Sequence, residues 1–515
     1  MGPVTGTTLW EMTERRAAAT PDDLMLADEH GRRITFAAFV EWAERVAAGL
    51  HGLGIGEGTV VSWQLPTRIE TTVLSMALSR LGAVQNPIIH LYREREVASL
   101  LRTTGAAWFV VPGVWKGFDY EAMAESIRQR VGDRDPFGVL NGYADLPEGD
   151  PTTLPPPPSD GDVVRWLYST SGTTSEPKAV CHTDGTLIAG GIGITEALRP
   201  ARGSINAIPF PYAHIGGPDN LVMMLRSGMA SALVEAFVPA ESFAFFADLG
   251  ATHLGGSTAH YLALAAEQAR TGVHPVPTMH TMCGGGAPKP AEAFWRVKER
   301  TGVTVMHGYG MTECPMIACG AVGDTDEQLA NSDGAPVVGC EILVVDEAEQ
   351  PVPAGVDGDI LVRGPMLAKG YMQPEQTRES FRDDGFFRTG DRGHLRDDGH
   401  IVITGRSKEL IIRKGENISP REIEDVLMSH PAVGAIAVIG LPDDERGERV
   451  CAVIETTVGS DPITFQAMAQ HCRDAGLMTQ KIPEQLEIVD ALPRNPTMKI
   501  LKRVLLEQLS KGASR

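Results

Sequence analysis

Residues 36–54, FAAFVEWAERVAAGLHGLG, carry apolar side chains three and four positions apart and end in glycine, which predicts an amphipathic helix with a glycine stop. TVVSWQLP at 59–66 reads as a strand, and residues 70–88, ETTVLSMALSRLGAVQNPI, as a helix running into another strand. AAWFVVPG at 106–113 adds a further strand. Strands alternating with helices predict an α/β architecture built on parallel sheet. The proline run in LPEGDPTTLPPPPSD favours an extended connector. Because the alternation resumes after it, the run is read as an excursion within one large domain.

From about residue 335 the texture changes to short strands with Gly and Asp-Gly punctuation. HLRDDGHIVI predicts a hairpin whose Asp-Gly turn supplies positive φ. SPREIEDVLMSH predicts a helix capped by Ser419, with Pro420 at its first position, Glu422 completing a capping box, and Ile423, Val426 and Leu427 as its apolar stripe. AIAVIGLP and RVCAVIETT read as strands and ITFQAMAQHCRDAG as a helix, making the C-terminal part a small α+β domain of about 100 residues.

A length of 515 residues calls for two or three domains. The net charge of -20 argues against a nucleic-acid partner, since no Lys/Arg run offers a basic groove. The cysteines show no metal-binding spacing and read as reduced thiols of a cytoplasmic protein. The N-terminus has no signal-peptide pattern, and no apolar run reaches the roughly 18 residues that span a bilayer.

The candidate chemistry begins at 169–178, STSGTTSEPK, which follows the strand VVRWLY. Hydroxyls, a glycine turn and a lysine are together the donors that hold phosphate. The spacing is not that of a Walker A loop, and alone the segment reads equally well as a surface turn. HGYGMTE (307–313), GFFRTGDRG (385–393), ITGRSKELIIRKGENISPREIE (403–424) and LPRNPTMKILKRVL, which holds Lys499, follow in order. In this order the motifs resemble the acyl-adenylate-forming superfamily of acyl-CoA synthetases, peptide-synthetase adenylation domains and beetle luciferases, over nearly the whole chain.

The resemblance implies a large N-terminal domain, residues 1–407, of αβ-layered sheets plus a β-rich subdomain. It also implies a small mobile C-terminal domain, residues 408–515, hinged near Lys408. ATP would meet Thr170, Ser171, Gly172, Thr173, Thr174 and Lys178 through its phosphates, and Gly285, Gly286, Ala287 and Pro288 beside the adenine and acyl group. Gly308, Tyr309, Gly310, Met311 and Thr312 would follow the nucleotide, with Tyr309 against adenine and Thr312 near the α-phosphate. Glu313 would hold Mg²⁺, as a carboxylate suits that hard cation. Asp391 would accept from the ribose hydroxyls, Arg406 would meet the ribose or phosphate edge, and Lys414 and Gly415 would serve thioester formation with coenzyme A. Lys499 would bridge the carboxylate and α-phosphate during adenylation, and His214 would wall or gate the acyl pocket.

Three positions depart from the family pattern, where Ser175, Ala179 and Met498 replace glycines. Ile215 stands where amino-acid-activating relatives carry Asp, which disfavours an α-amino acid. Asp219, a turn further on, is read either as a contact for a polar substituent or as a surface or capping residue. Gly216, Gly217, Gly255 and Gly256 are read as leaving room for a branched, alicyclic or medium-chain acid.

The expected activity is an ATP-dependent acid:CoA ligase of fatty acid metabolism. A stand-alone enzyme loading a carrier protein and a catalytically silent nucleotide-binding homologue are the alternatives. No carrier domain is expected, since nothing follows residue 515, and the oligomeric state stays open, with a homodimer one option.

Overall fold

The computed structural model describes residues 3–131, 137–143, 146–170, 178–406, 409–414, 416–443, 446–495 and 498–512. Among the described residues, the alternating N-terminal pattern builds two sheets. The first orders its strands as Lys178–Thr183, Val164–Thr170, Val84–Pro87, Val60–Trp63, Trp108–Val111 and Gly138–Asn141. All neighbours in it run parallel except the first pair, an antiparallel hairpin with Lys178 opposite Thr170. The hydroxyl-rich segment therefore lies between two paired strands. Residues 171–177 of that segment lie outside the described residues.

The second sheet orders Ala335–Pro336, Cys314–Cys319, Thr304–Met311, Thr281–Gly284, His253–Gly256, Ile205–Ile208, Ala230–Leu233, Leu24–Asp28 and Arg33–Thr35. Its centre is parallel. Leu24–Asp28 lies parallel to Ala230–Leu233 across some 200 residues of chain, a pairing that local alternation could not disclose. Helix Gly216–Ser227 returns the chain from Ile205–Ile208 to Ala230–Leu233. The carboxyl ends of Ile205–Ile208, His253–Gly256, Thr281–Gly284 and Thr304–Met311 consequently open at one edge, where open α/β sheets bind ligands.

The proline-rich excursion is pinned to this large part. The Gly149 N–H donates to the Arg45 carbonyl (2.8 Å), the Arg80 guanidinium to the Pro155 carbonyl (2.8 Å) and the Thr7 hydroxyl to the Ser159 carbonyl (3.2 Å). The β-rich segment forms an antiparallel sheet in the order Glu341–Val345, Gly358–Arg363, Phe387–Leu395, Ile401–Arg406. The expected Asp-Gly hairpin is there, with Gly399 at φ +85° and the Arg396 N–H on the His400 carbonyl. Asp391 sits inside strand Phe387–Leu395, where a register shift and Gly390 at φ +74° bend the ladder.

The C-terminal part has its own core. Strands Glu416–Ile418, Ile411–Arg413, Gly447–Thr456 and Val433–Asp443 pair antiparallel, and Gln485–Val489 joins Gly447–Thr456 in parallel. Ile423, Leu427, Met468 and Cys472 bury one face under helices Pro420–Met428 and Phe465–Asp474. Leu505 of helix Lys502–Gly512 packs on the other face. The helix at 420 starts where the cap pattern places it, but the capping box does not form. The Ser419 hydroxyl donates to the Thr404 carbonyl across the junction, and Glu422 pairs with Lys481 at 2.6 Å.

Candidate active site

Strand Thr304–Met311 carries Tyr309 to the open sheet edge, and the Tyr309 hydroxyl donates to Asp391 Oδ2 at 2.7 Å. Arg406, directly opposite Asp391 in the neighbouring strand, donates from Nε to Asp391 Oδ1 at 2.9 Å. Asp391 is 4% exposed. Its two oxygens each take one of these bonds and retain lone pairs for further donors. Burial, then the facing Asp391 carboxylate, holds the Tyr309 hydroxyl well above the usual tyrosine range, so it remains a donor.

The turn after that strand presents Thr312 and Glu313. His182 Nε2 lies 2.7 Å from the Thr312 carbonyl, which can only accept, so that nitrogen carries the proton. Its Nδ1 lies 2.9 Å from the Thr186 hydroxyl, and burial pushes the ring down to about 4, keeping it neutral. Glu313 Oε1 accepts from the Tyr371 hydroxyl at 2.7 Å, and Lys178 Nζ stands 4.8 Å above the Tyr371 ring. Residues 369–372 pair along strand Lys178–Thr183, with the Cys181 N–H on the Gly370 carbonyl and the Met372 N–H on the Ala179 carbonyl. This edge pairing brings Glu313 and Lys178 together. His182 and Tyr371 were missed in the sequence because neither lies in a motif, and only strand pairing reveals them.

Lys499 reaches this cluster from the C-terminal part. Burial, then the Arg406 guanidinium, holds its ammonium below the usual lysine range, with Asp391 and Glu409 opposing. The same charge, after burial, pushes His214 down to about 4. Lys499 thus comes within electrostatic reach of Arg406, Asp391 and His214 together. Its loop is closed by the Lys499 N–H on Asn495 Oδ1 (2.8 Å) and the Asn495 N–H on the Lys499 carbonyl (2.8 Å). Met498 occupies the left-handed region at φ +62°. A side chain in that region carries strain that glycine would not.

Ala179 lies in strand Lys178–Thr183 opposite Ser169, fully buried, so its methyl bears on the sheet and not on a free loop. The side chain of Thr170, and all of Ser171, Gly172, Thr173, Thr174, Ser175, Lys408 and Gly415, lie outside the described residues. Lys414 is exposed at the Ile411–Arg413 hairpin, φ +51°, its N–H on the Arg446 carbonyl, and is not gathered into the Lys499 cluster.

The glycines read as room for a bulky acid serve other purposes. A side chain on Gly217 would strike the Tyr212 carbonyl, one on Gly255 would stand 3.0 Å from Phe210, and one on Gly256 2.9 Å from His260. Gly216 faces Phe210 at 3.5 Å. At Gly217, Gly255 and Gly256 neighbouring backbone and rings take the place of a side chain, whereas Gly216 stands at an ordinary contact distance. Side chains on Gly284 and Gly285 would likewise strike the Gly256 and Gly308 carbonyls, so neighbouring strands impose those glycines. Ala287 and Pro288 follow them in the turn that carries the Gly286 backbone at φ +79°. A side chain on Gly310 would strike the Pro315 carbonyl, which fixes the tight turn between Met311 and Cys314. His214, Ile215, Tyr168 and Thr312 line an opening beside these residues.

Tyr309, Asp391 and Arg406 on paired strands, with Lys499 brought to them from the C-terminal part, sit in an α/β fold of the adenylate-forming type. The family described as AMP-binding enzyme matches residues 13–372, and its C-terminal domain matches residues 422–499. The chain belongs to this AMP-binding enzyme family. It is 31% identical to salicyl-AMP ligase / salicyl-S-ArCP synthetase of Mycobacterium tuberculosis, over 98% of this chain and 91% of that protein. It superposes on ATP-bound MatB of Rhodopseudomonas palustris with a TM-score of 0.86 at 27% identity, covering 98% and 99% of the two chains. On the anthranilate CoA ligase AuaEII in complex with anthranoyl-AMP the TM-score is 0.89 at 25% identity, covering 99% and 98%.

Proposed function

We propose that this chain is an ATP-dependent acid–thiol ligase that joins a carboxylic acid to coenzyme A through an acyl-adenylate. The observation that supports it most directly is the approach of Lys499 to Arg406, Asp391 and His214, since binding of a nucleotide alone gives no reason to bring a lysine from the C-terminal part there.

The carboxylate oxygen attacks the α-phosphorus of ATP. The bond from that phosphorus to the bridging oxygen breaks, and its electron pair leaves with pyrophosphate. Both reactants are anionic, so a cation between them offsets the repulsion and stabilises the crowded transition state. Lys499 has that charge and position. Asp391, held by Tyr309 and Arg406, accepts from the ribose hydroxyls, and His182 fixes the backbone of Thr312, whose hydroxyl and N–H would donate to the α-phosphate. A single carboxylate beside the phosphate-facing Lys178 is the donor set that suits Mg²⁺, so Glu313 would hold that ion. Bound there, it would neutralise phosphate charge. In the second half-reaction the thiolate attacks the acyl carbon and AMP departs with the bonding pair.

A carrier-protein thiol is the second reading, supported by the relative named as a salicyl-S-ArCP synthetase. Acid-dependent exchange of labelled pyrophosphate into ATP tests the first step, and thioester formation with coenzyme A against an aryl carrier protein tests the second. Exchange with at least one acid, followed by coenzyme A thioester, is expected. No exchange with any acid would overturn adenylation, and thioester on the carrier alone would overturn the acceptor.

A further inference from the structure

Asp219 sits in the first turn of helix Gly216–Ser227, four residues after Ile215 and therefore on the same face. Ile215 lines the opening that His214, Tyr168 and Thr312 share. Asp219 is 2% exposed, and its Oδ1 has no hydrogen-bond partner among the described residues. A methyl group on Gly190 would stand 2.8 Å from that oxygen and 3.2 Å from Pro315 Cβ, so the glycine makes the space in which the carboxyl lies.

The groups within electrostatic reach are Tyr168, Cys283 and Cys314, all of which resist ionisation, and among the described residues no cation faces the carboxyl. Burial alone pushes Asp219 up to about 8. Both plain roles for it fail here. It is not on the surface, and its buried oxygen caps no backbone N–H. An acceptor buried without a donor costs stability, which a ligand that supplies the donor recovers.

We propose that Asp219 is a specificity-determining residue whose carboxyl accepts a hydrogen bond from a hydroxyl or amino group carried by the acid substrate, away from its reacting carboxylate. The inference rests on the adenylation reading above. It agrees with two of the relatives, whose named acids, salicylate and anthranilate, carry a hydroxyl and an amino group.

The test compares kcat/KM for pyrophosphate exchange within matched acids: hydroxybenzoates and aminobenzoates against benzoate, and hydroxyhexanoate and aminohexanoate against hexanoate. Wild type is expected to favour at least one donor-bearing acid by about a hundredfold, because a buried acceptor left unpaired penalises the analogue that lacks the donor. Asp219→Leu should lower that preference at least tenfold. Asp219→Asn, nearly isosteric and protected from misfolding, should keep part of it for a hydroxyl, since the amide oxygen still accepts. Whichever series carries the preference distinguishes hydroxyl from amine. If acids are activated but the donor makes no difference, or Asp219→Leu and Asp219→Asn leave the ratio unchanged, this proposal alone is overturned. If no acid is activated, the adenylation reading falls and takes this one with it.

Discussion

The two halves of the candidate active site are held in different ways. Tyr309, Asp391 and Arg406 stand on paired strands of the large part, bonded to one another at 2.7 and 2.9 Å, so their geometry exists before any ligand arrives. Lys499 stands on a loop of the other part, and its position depends on a strained turn and on how the C-terminal part docks. Leu262 of the large part packs on the C-terminal core, Ser419 bonds to Thr404, and Arg421 donates to both oxygens of Asp333 at 3.3 Å. On the function proposed above, the strand-borne half would bind and the loop-borne half would act only when docked. Such an arrangement suits an enzyme that must place one cation in the first step and clear it before the second.

The largest effect should come from deleting that cation. Lys499→Ala is expected to lower pyrophosphate exchange by about a hundred- to a thousandfold, the scale of one preorganised charge at a transition state, while the KM for ATP moves little. The pH profile sharpens this. Burial and Arg406 favour the neutral amine, so Lys499 loses its proton at lower pH than a free lysine, and exchange should fall as pH rises through that lowered value. Lys499→Arg, which stays charged, should lose this alkaline fall. Exchange in Lys499→Ala at the wild-type rate would remove Lys499 from the chemistry.

Docking itself is the next target. Asp333 is 3% exposed and also accepts the Ile403 N–H at 2.9 Å, with Lys289 held against the Ala330 carbonyl nearby. Arg421→Met leaves this buried carboxylate short of its partner, which typically costs about 3 kcal/mol. Most of that cost falls on the docked arrangement, so exchange should drop roughly tenfold or more, and Arg421→Lys should restore part of it. Thioester formation from supplied acyl-AMP should not fall in parallel. An equal loss in both half-reactions, with a lowered melting temperature, would make Arg421 a stabilising residue only.

What could be read from the sequence follows the same division. Strands and helices were legible because apolar spacing records which face is buried, as at Phe36–Gly52 and Pro420–Met428. The site residues stood out where they fell in compact motifs. Three features were not legible. The entry of Leu24–Asp28 into the second sheet depends on a partner far along the chain. The roles of His182 and Tyr371 depend on edge pairing. The glycines at 217, 255 and 256 answer to Tyr212, Phe210 and His260, and an absent side chain says nothing in sequence about whether ligand or protein fills its place. Ser419 was misread for a related reason: a cap pattern fixes where a helix starts, while the hydroxyl takes the acceptor that tertiary structure brings closest.

The smallest expected effect lies at Met498, and it probes how much of the loop-borne half is set by local backbone. At φ +62° an ordinary side chain costs about 1 kcal/mol, and glycine would remove that strain. Glycine also gives the unfolded chain more freedom, which offsets a similar amount. Met498→Gly should therefore change stability by less than about 1 kcal/mol and exchange by less than about threefold. A β-branched residue tolerates the left-handed region least, so Met498→Val should shift the turn, displace Lys499 and lower exchange several-fold with ATP binding unchanged. If valine is as active as methionine, then docking through Arg421 and Asp333 positions the lysine by itself, and the turn merely follows it.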